Sequence, residues 1–133
     1  MSLEDSPEAF FERFKEAAFV AEVLPVPWGW PLVEVETPLG PLRAMDRGAP
    51  PLKPGNHTLL LHGVVAEISA EKAEGEFFKE LKEGAYLFAG PVRELQPGFY
   101  LMRSVVPVLL YSETPLPASP AVVTHPPLMG FRP

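Results

Sequence analysis

Eighteen of the 133 residues are proline, and their spacing limits the fold more than any other feature. Proline has no amide hydrogen and clashes with the preceding helical turn, so long regular elements must fit between prolines. Two windows are wide, Pro7 to Pro25 and Pro54 to Pro91; elsewhere the chain is cut into short pieces. The first window predicts a helix over 6–24. Ser6 can cap it, Pro7 suits the first helical position, and Glu8 favours the positive end. Phe10, Phe11, Phe14, Ala17, Ala18, Ala21 and Leu24 share one stripe at helical spacing, and Pro25 stops the helix. Phe19 does not fit: it projects into the charged side, with Val23 one turn further on.

The second window opens with "TLLLHGVVAEIS", residues 58–69. Both of its faces are apolar from Leu59 to Val65, which predicts a central strand covered on both sides. Ser69 then caps a second predicted helix, 70–83, with Ala70, Ala73, Phe77 and Leu81 inside and Gly84 just past its end. "LVEVET" alternates like a half-exposed strand, "TPLG" reads as a type I turn, and "LRAMD" is the return strand. This "TPLGPL" hairpin resembles the N-terminal hairpin of the alkylguanine-DNA alkyltransferases. Those need a reactive Cys and a basic DNA-binding helix, which this chain lacks, so the resemblance extends to the turn alone. "AYLFAG", "VREL" and "FYLMRSVVPVLLYS" are further strands, with Pro107 at an edge, bend or bulge. The expected fold is a single α+β domain over 1–133. About five to seven mainly antiparallel strands would carry two packed helices, and a proline-rich arm would cover 113–133.

Composition narrows the function classes. There is no cysteine, which excludes disulfides, thiol nucleophiles and thiolate metal sites. The net charge is −6 and the eleven Lys and Arg are scattered, so neither nucleic acid nor an anionic membrane is an expected partner. No apolar run approaches the ~20 residues of a membrane span. The acidic N-terminus lacks the features of a signal peptide, so the expected compartment is the cytoplasm. Abundant proline with a single Asn and a single Gln is the pattern of a heat-adapted protein. "GxxxxGK", "GxGxxG" and "GxSxG" are absent, so no cofactor, phosphate loop or serine nucleophile is expected.

Four residues remain as ligand-binding candidates. Trp28 and Trp30, in "PVPWGWPLVEV", point the same way along an extended, proline-stiffened segment. They form either a rigid shelf for a ligand or a lid buried on the domain. His62 shares its strand side with Leu60, Val64 and Ala66; it is a core histidine or a general base. Nothing around it in sequence has metal-ligand spacing, so no metal is expected. Arg103 alternates with Leu101 and Val105; it is an anion clamp or a structural cation. Phe19, Val23, Leu128, Met129 and Phe131 are interface candidates, because they supply apolar surface on helix 1 and on the arm. They suggest a homo-oligomer, a dimer first. The functional expectation is a non-enzymatic binding or assembly module. The alternatives are a small-ligand-binding domain, or an isomerase or hydrolase using His62 and Arg103. Convergence of these residues in one pocket favours the alternatives, and dispersion favours the module.

Overall fold

A computed structural model describes residues 6–69 and 75–133. The chain begins with a short helix, α1 (Pro7–Arg13), and a 3-10 turn, Lys15–Ala17. Eleven strands follow: β1 (Phe19–Leu24), β2 (Leu32–Val35), β3 (Leu42–Asp46), β4 (Gly55–Ile68), β5 (Phe77–Glu80), β6 (Tyr86–Ala89), β7 (Val92–Gln96), β8 (Phe99–Arg103), β9 (Pro107–Tyr111), β10 (Ala121–Thr124) and β11 (Met129–Phe131). A second 3-10 turn, Lys82–Gly84, separates β5 from β6.

β4 organises the molecule by changing partners along its fourteen residues. Its first part pairs with β1, from Val23↔Gly55 to Phe19↔Leu59. Its middle pairs with β11 on one edge and β9 on the other, so His62 faces both Met129 and Leu109. Its last part pairs with β10. The pairs β1–β2, β2–β3, β3–β11, β11–β4 and β4–β1 return to their start and close a five-strand ring. Closure leaves no free edge within the ring. Two wings grow from the far half of β4: β10–β6–β5 and β9–β8–β7.

Alternation along the strands sends Val23, Val33, Val35, Leu42, Leu59 and Leu61 into a core that continues to Phe88, Met102 and Val122 in the wings. The opposite side of β4 carries Leu60. There it joins Leu101, Leu109 and Phe131 in a second apolar layer, which α1 covers with Phe10 and Phe11, together with Phe14 just past its end. Seven residues are too few to hold a helix alone, so this burial is what holds α1. β4 is thus central, and Leu59, Leu60 and Leu61 are covered on both faces as its apolar run predicts, whereas Val64 further along the same run stands 41% exposed.

Several expectations are overturned. The fold is mostly β, with 48% strand and 10% helix, and its sheet is mixed, with eleven strands. It is not an α+β arrangement of two helices on five to seven antiparallel strands: β11–β3 and β4–β9 are parallel. The predicted helix 6–24 ends at Arg13, where Phe14 leaves helical geometry at φ −121°. Residues 19–24 form β1 instead. There Phe19, Ala21 and Val23 face the core and Val20 and Glu22 face out. Phe19 fitted no helical stripe because its period is two, and β-branched Val20 and Val23 suit a strand between two partners. The predicted helix 70–83 fails over its described part. Residues 70–74 lie outside the described residues, and Phe77–Glu80 is a strand whose Phe78 pairs with Phe88.

The proline-rich arm is also part of the sheet. It supplies β10 and β11, while Pro115, Pro117, Pro120, Pro126 and Pro127 fall between strands. Leu128 and Phe131 are buried against their own chain. Among the described residues, no helix is long and apolar enough to cross a membrane.

Candidate binding cleft at the mouth of the ring

The loop 25–31 joins β1 to β2 and crosses one end of the ring beside the loop 47–54. Between them lies a cleft of about 200 Å³. Its walls are Leu24, Pro25, Val26, Trp28, Trp30, Leu32, Leu52 and Pro54, with Val23 and Val33 at its floor. No lining side chain is charged or carries a hydroxyl. Any group that enters must therefore be recognised by apolar contact, ring stacking or main-chain atoms.

Both indoles are held by their polar ends. Trp28 donates its Nε1–H to the Leu32 carbonyl at 3.0 Å, and Trp30 donates to Oδ2 of Asp46 at 2.7 Å. The Arg43 guanidinium lies 5.0 Å from the Trp28 ring centroid, within cation–π range. Arg43 is held in turn by Glu34 at 3.3 Å and Glu80 at 3.8 Å. Trp28 is half-buried, whereas Trp30 remains 44% exposed. The segment is therefore neither a free shelf nor a sealed lid: its N–H groups point into the fold and part of its ring surface faces out.

Asp46 is the pin beneath this arrangement. Its side chain is fully covered, and it accepts from Arg132 Nε at 3.0 Å, Arg132 Nη2 at 2.8 Å and the Gly48 amide at 3.1 Å, besides Trp30. Burial pushes its carboxyl up, but these donors outweigh burial and hold it below its ordinary value. Arg132 also donates to the Pro50 carbonyl. One cluster thus ties the Trp loop, the end of β3, the 47–54 loop and the C-terminus together. Gly48 is needed here, because a Cβ would sit 2.5 Å from Arg132 Nε. The sequence marks Asp46 only through "DRG", as a loop carboxylate–arginine pair. Its true partner lies 86 residues on, a distance no local pattern reveals.

His62 lies elsewhere, beneath α1. Its ring centroid is 5.1 Å from that of Phe10, 6.2 Å from Phe99 and 6.3 Å from Phe131. It is partly exposed, and Nδ1 donates to the Leu109 carbonyl at 3.0 Å. Nε2 therefore carries the lone pair. Burial holds His62 below its ordinary value, against the carbonyl bond, so the neutral ring is favoured. It is not part of the Trp cleft.

Arg103 ends β8 with its side chain exposed. Its backbone is more constrained: its N–H donates to Pro91, and its carbonyl lies 2.6 Å from where a Cβ on Gly90 would stand. Glu67 lines a separate groove with Tyr111, Glu113 and His125. Among the described residues, no three His, Asp or Glu side chains are grouped so as to hold a metal. Of the interface candidates, Val23, Leu128 and Phe131 are buried in the chain's own layers; Phe19 and Met129 are partly buried against them. Of the four ligand-binding candidates, the structure brings only Trp28 and Trp30 together. Comparison of the chain with family models, with curated proteins and with solved structures gives no match.

Proposed function

We propose that the protein is a non-catalytic binding module whose recognition site is the Trp28–Trp30 cleft. The carrying observation is the pair of indoles, each fixed by an internal hydrogen bond while the rings border a cleft without charged or hydroxyl side chains. Fixed rings lose little conformational freedom when a ligand docks, so the cleft is preorganised for stacking. Its volume is below the ~300–1,000 Å³ common for drug-sized ligands. It suits one ring, prolyl group or branched aliphatic chain. The catalytic alternative has less support, because His62 and Arg103 join neither this cleft nor each other.

The two tryptophans are the only ones in the chain, so their emission reports the site directly. Titration with a panel of single-ring, prolyl and aliphatic probes is expected to shift or quench that emission. Trp30→Ala is expected to abolish the response while leaving the fold intact by circular dichroism. Probe responses that survive in Trp30→Ala, or backbone NMR shifts confined to the Glu67–His125 groove, would place recognition elsewhere and overturn the reading.

A further inference from the structure

A groove on the far half of β4 shares no residue with the Trp cleft. The parallel pairing of β4 with β9 ends at Val64↔Tyr111, and the two chains then part. Ser112 turns β9 away: its N–H donates to the Gly98 carbonyl, and its hydroxyl closes a turn with Thr114. β4 runs on to Ile68 with β10 along its other edge. The link 125–128 carries β10 into β11 on that same edge, and the His125 N–H donates to the Val64 carbonyl on the way. On the side that β9 leaves, Val65–Ile68 has no strand partner among the described residues. The groove between the parted chains measures about 380 Å³ and is lined by every residue of 64–68 and of 111–114. Side chains along a strand alternate between faces, so unbroken runs mean that main chain forms part of both walls. The Ser69 N–H donates to the Ala121 carbonyl on the β10 side, and alternation therefore turns the Ile68 amide and carbonyl into the groove. An open edge of this kind is a template for another strand.

The charge of the groove specifies that strand. Glu67 stands on one wall and Glu113 on the other; both are exposed, and neither has an ion pair or hydrogen bond among the described residues. No Lys or Arg lines the groove. Tyr111 adds an aromatic ring to the second wall, which attracts a cation. A second copy of the chain is a poor occupant, because two-fold pairing of this edge with itself sets the same glutamates against each other. We propose that the groove is a second docking site, at which an extended partner segment carrying Lys or Arg adds to the edge of β4 as a strand. Main-chain bonds to the edge hold the segment, Glu67 and Glu113 select its charge, and the exposed Val64 takes an apolar side chain. The same glutamates keep other copies of this acidic chain off the edge.

The test uses short labelled peptides in which valine alternates with lysine, glutamine or glutamate, and a lysine peptide whose amides are N-methylated. Binding is read by fluorescence anisotropy and its location by backbone NMR shifts. The lysine peptide is expected to bind at least about tenfold more tightly than the glutamine peptide, and to lose about tenfold in high salt. It should shift the amides of Val65–Ile68 and leave Trp emission unchanged. N-methylation is expected to weaken binding about tenfold, through lost main-chain bonds. Glu67→Lys with Glu113→Lys is expected to transfer the preference to the glutamate peptide without changing thermal unfolding, because neither side chain has a partner to lose. Equal binding of the lysine and glutamine peptides overturns the basic partner. Undiminished binding of the N-methylated peptide overturns strand addition. A change in Trp emission without shifts at Val65–Ile68 moves docking to the Trp cleft and overturns this site alone. Self-association of the unmodified chain that shifts the Val65–Ile68 amides makes a second copy the occupant and overturns the peptide assignment.

Discussion

Beneath α1, the rings of Phe10, Phe14, Phe99 and Phe131 crowd within a few ångströms of each other and of His62. At the other site, Trp28 and Trp30 stand at a mouth, each fastened at one end. Phenylalanine has no polar atom, so its lowest free energy lies in complete coverage, and the layer under α1 closes on itself. Tryptophan must satisfy an N–H, and once that N–H has a carbonyl or carboxylate the ring orientation is fixed, whether or not water is excluded. The first region holds an element in place through area alone. The second fixes ring surface that remains available. Aromatic content is the same sequence signal in both; the polar anchor is what separates a closed packing layer from a ring pair left partly exposed.

The largest effect that tests this contrast is expected in the packing layer. Phe14 is 1% exposed and touches Phe10 and Phe99. Phe14→Ala should cost about 4 kcal/mol, measured by denaturant unfolding, with native Trp emission unchanged. A cost near zero would mean that α1 does not need this layer. The next effect, at the mouth, should differ in kind. Asp46→Ala leaves the largely covered Arg132 guanidinium without its carboxylate and frees the Trp30 N–H, and should cost about 3 kcal/mol. Here native Trp emission should move to longer wavelength and become easier to quench. Unchanged emission would show that Trp30 is held by packing rather than by Asp46.

Acid should separate the two regions by pH. The folded chain holds His62 below the ordinary 6.5, so the unfolded chain binds this proton more readily. Its stabilisation is complete above pH 6.5 and falls as pH drops through the lowered folded value. Asp46 is held below the ordinary 3.8, so its contribution is present above that value and is lost only in stronger acid. Stability followed against pH should decline in two steps: the first silent in Trp emission and absent in His62→Gln, the second accompanied by an emission change. A first step that survives in His62→Gln would remove His62 from the account.

The parts legible in the sequence were those fixed by neighbours in the chain. Ser6 caps α1 through the Ala9 amide at 3.1 Å, and the hairpin of β2 and β3 closes through mutual backbone bonds between Thr37 and Gly40. The two-sided apolar run of β4 fixed its place between layers. What was hidden depends on partners remote in sequence. Phe19–Leu24 carries a helical stripe by coincidence of Ala21 and Leu24, and only pairing with both β2 and β4 makes it a strand. Phe77–Glu80 lies in a Glu- and Lys-rich stretch that favours helix, yet its backbone pairs along the whole of β6. At the cleft, the two tryptophans were legible as residues; the Asp46–Arg132 pin that orients Trp30 was not, because it joins β3 to the C-terminus.

The smallest effect expected concerns whether charge helps hold the region under α1. Glu16, in the 3-10 turn after α1, meets Arg93 of β7 at 2.9 Å, with the two side chains 57% and 62% exposed. An exposed pair gains little, because water already solvates both charges and ordering two long side chains costs entropy. Arg93→Ala should therefore lower stability by less than about 1 kcal/mol, and the change should shrink further in high salt. Phe14→Ala should keep its full cost in the same salt, since apolar burial is not screened. The test is a double-mutant cycle of Arg93→Ala with Phe14→Ala. Near-additive costs would mean that the pair lies on top of a region already held by its rings. A coupling as large as the ring cost would mean that α1 is fastened through its ion pair, and the contrast between an area-held layer and a polar-anchored mouth would fail.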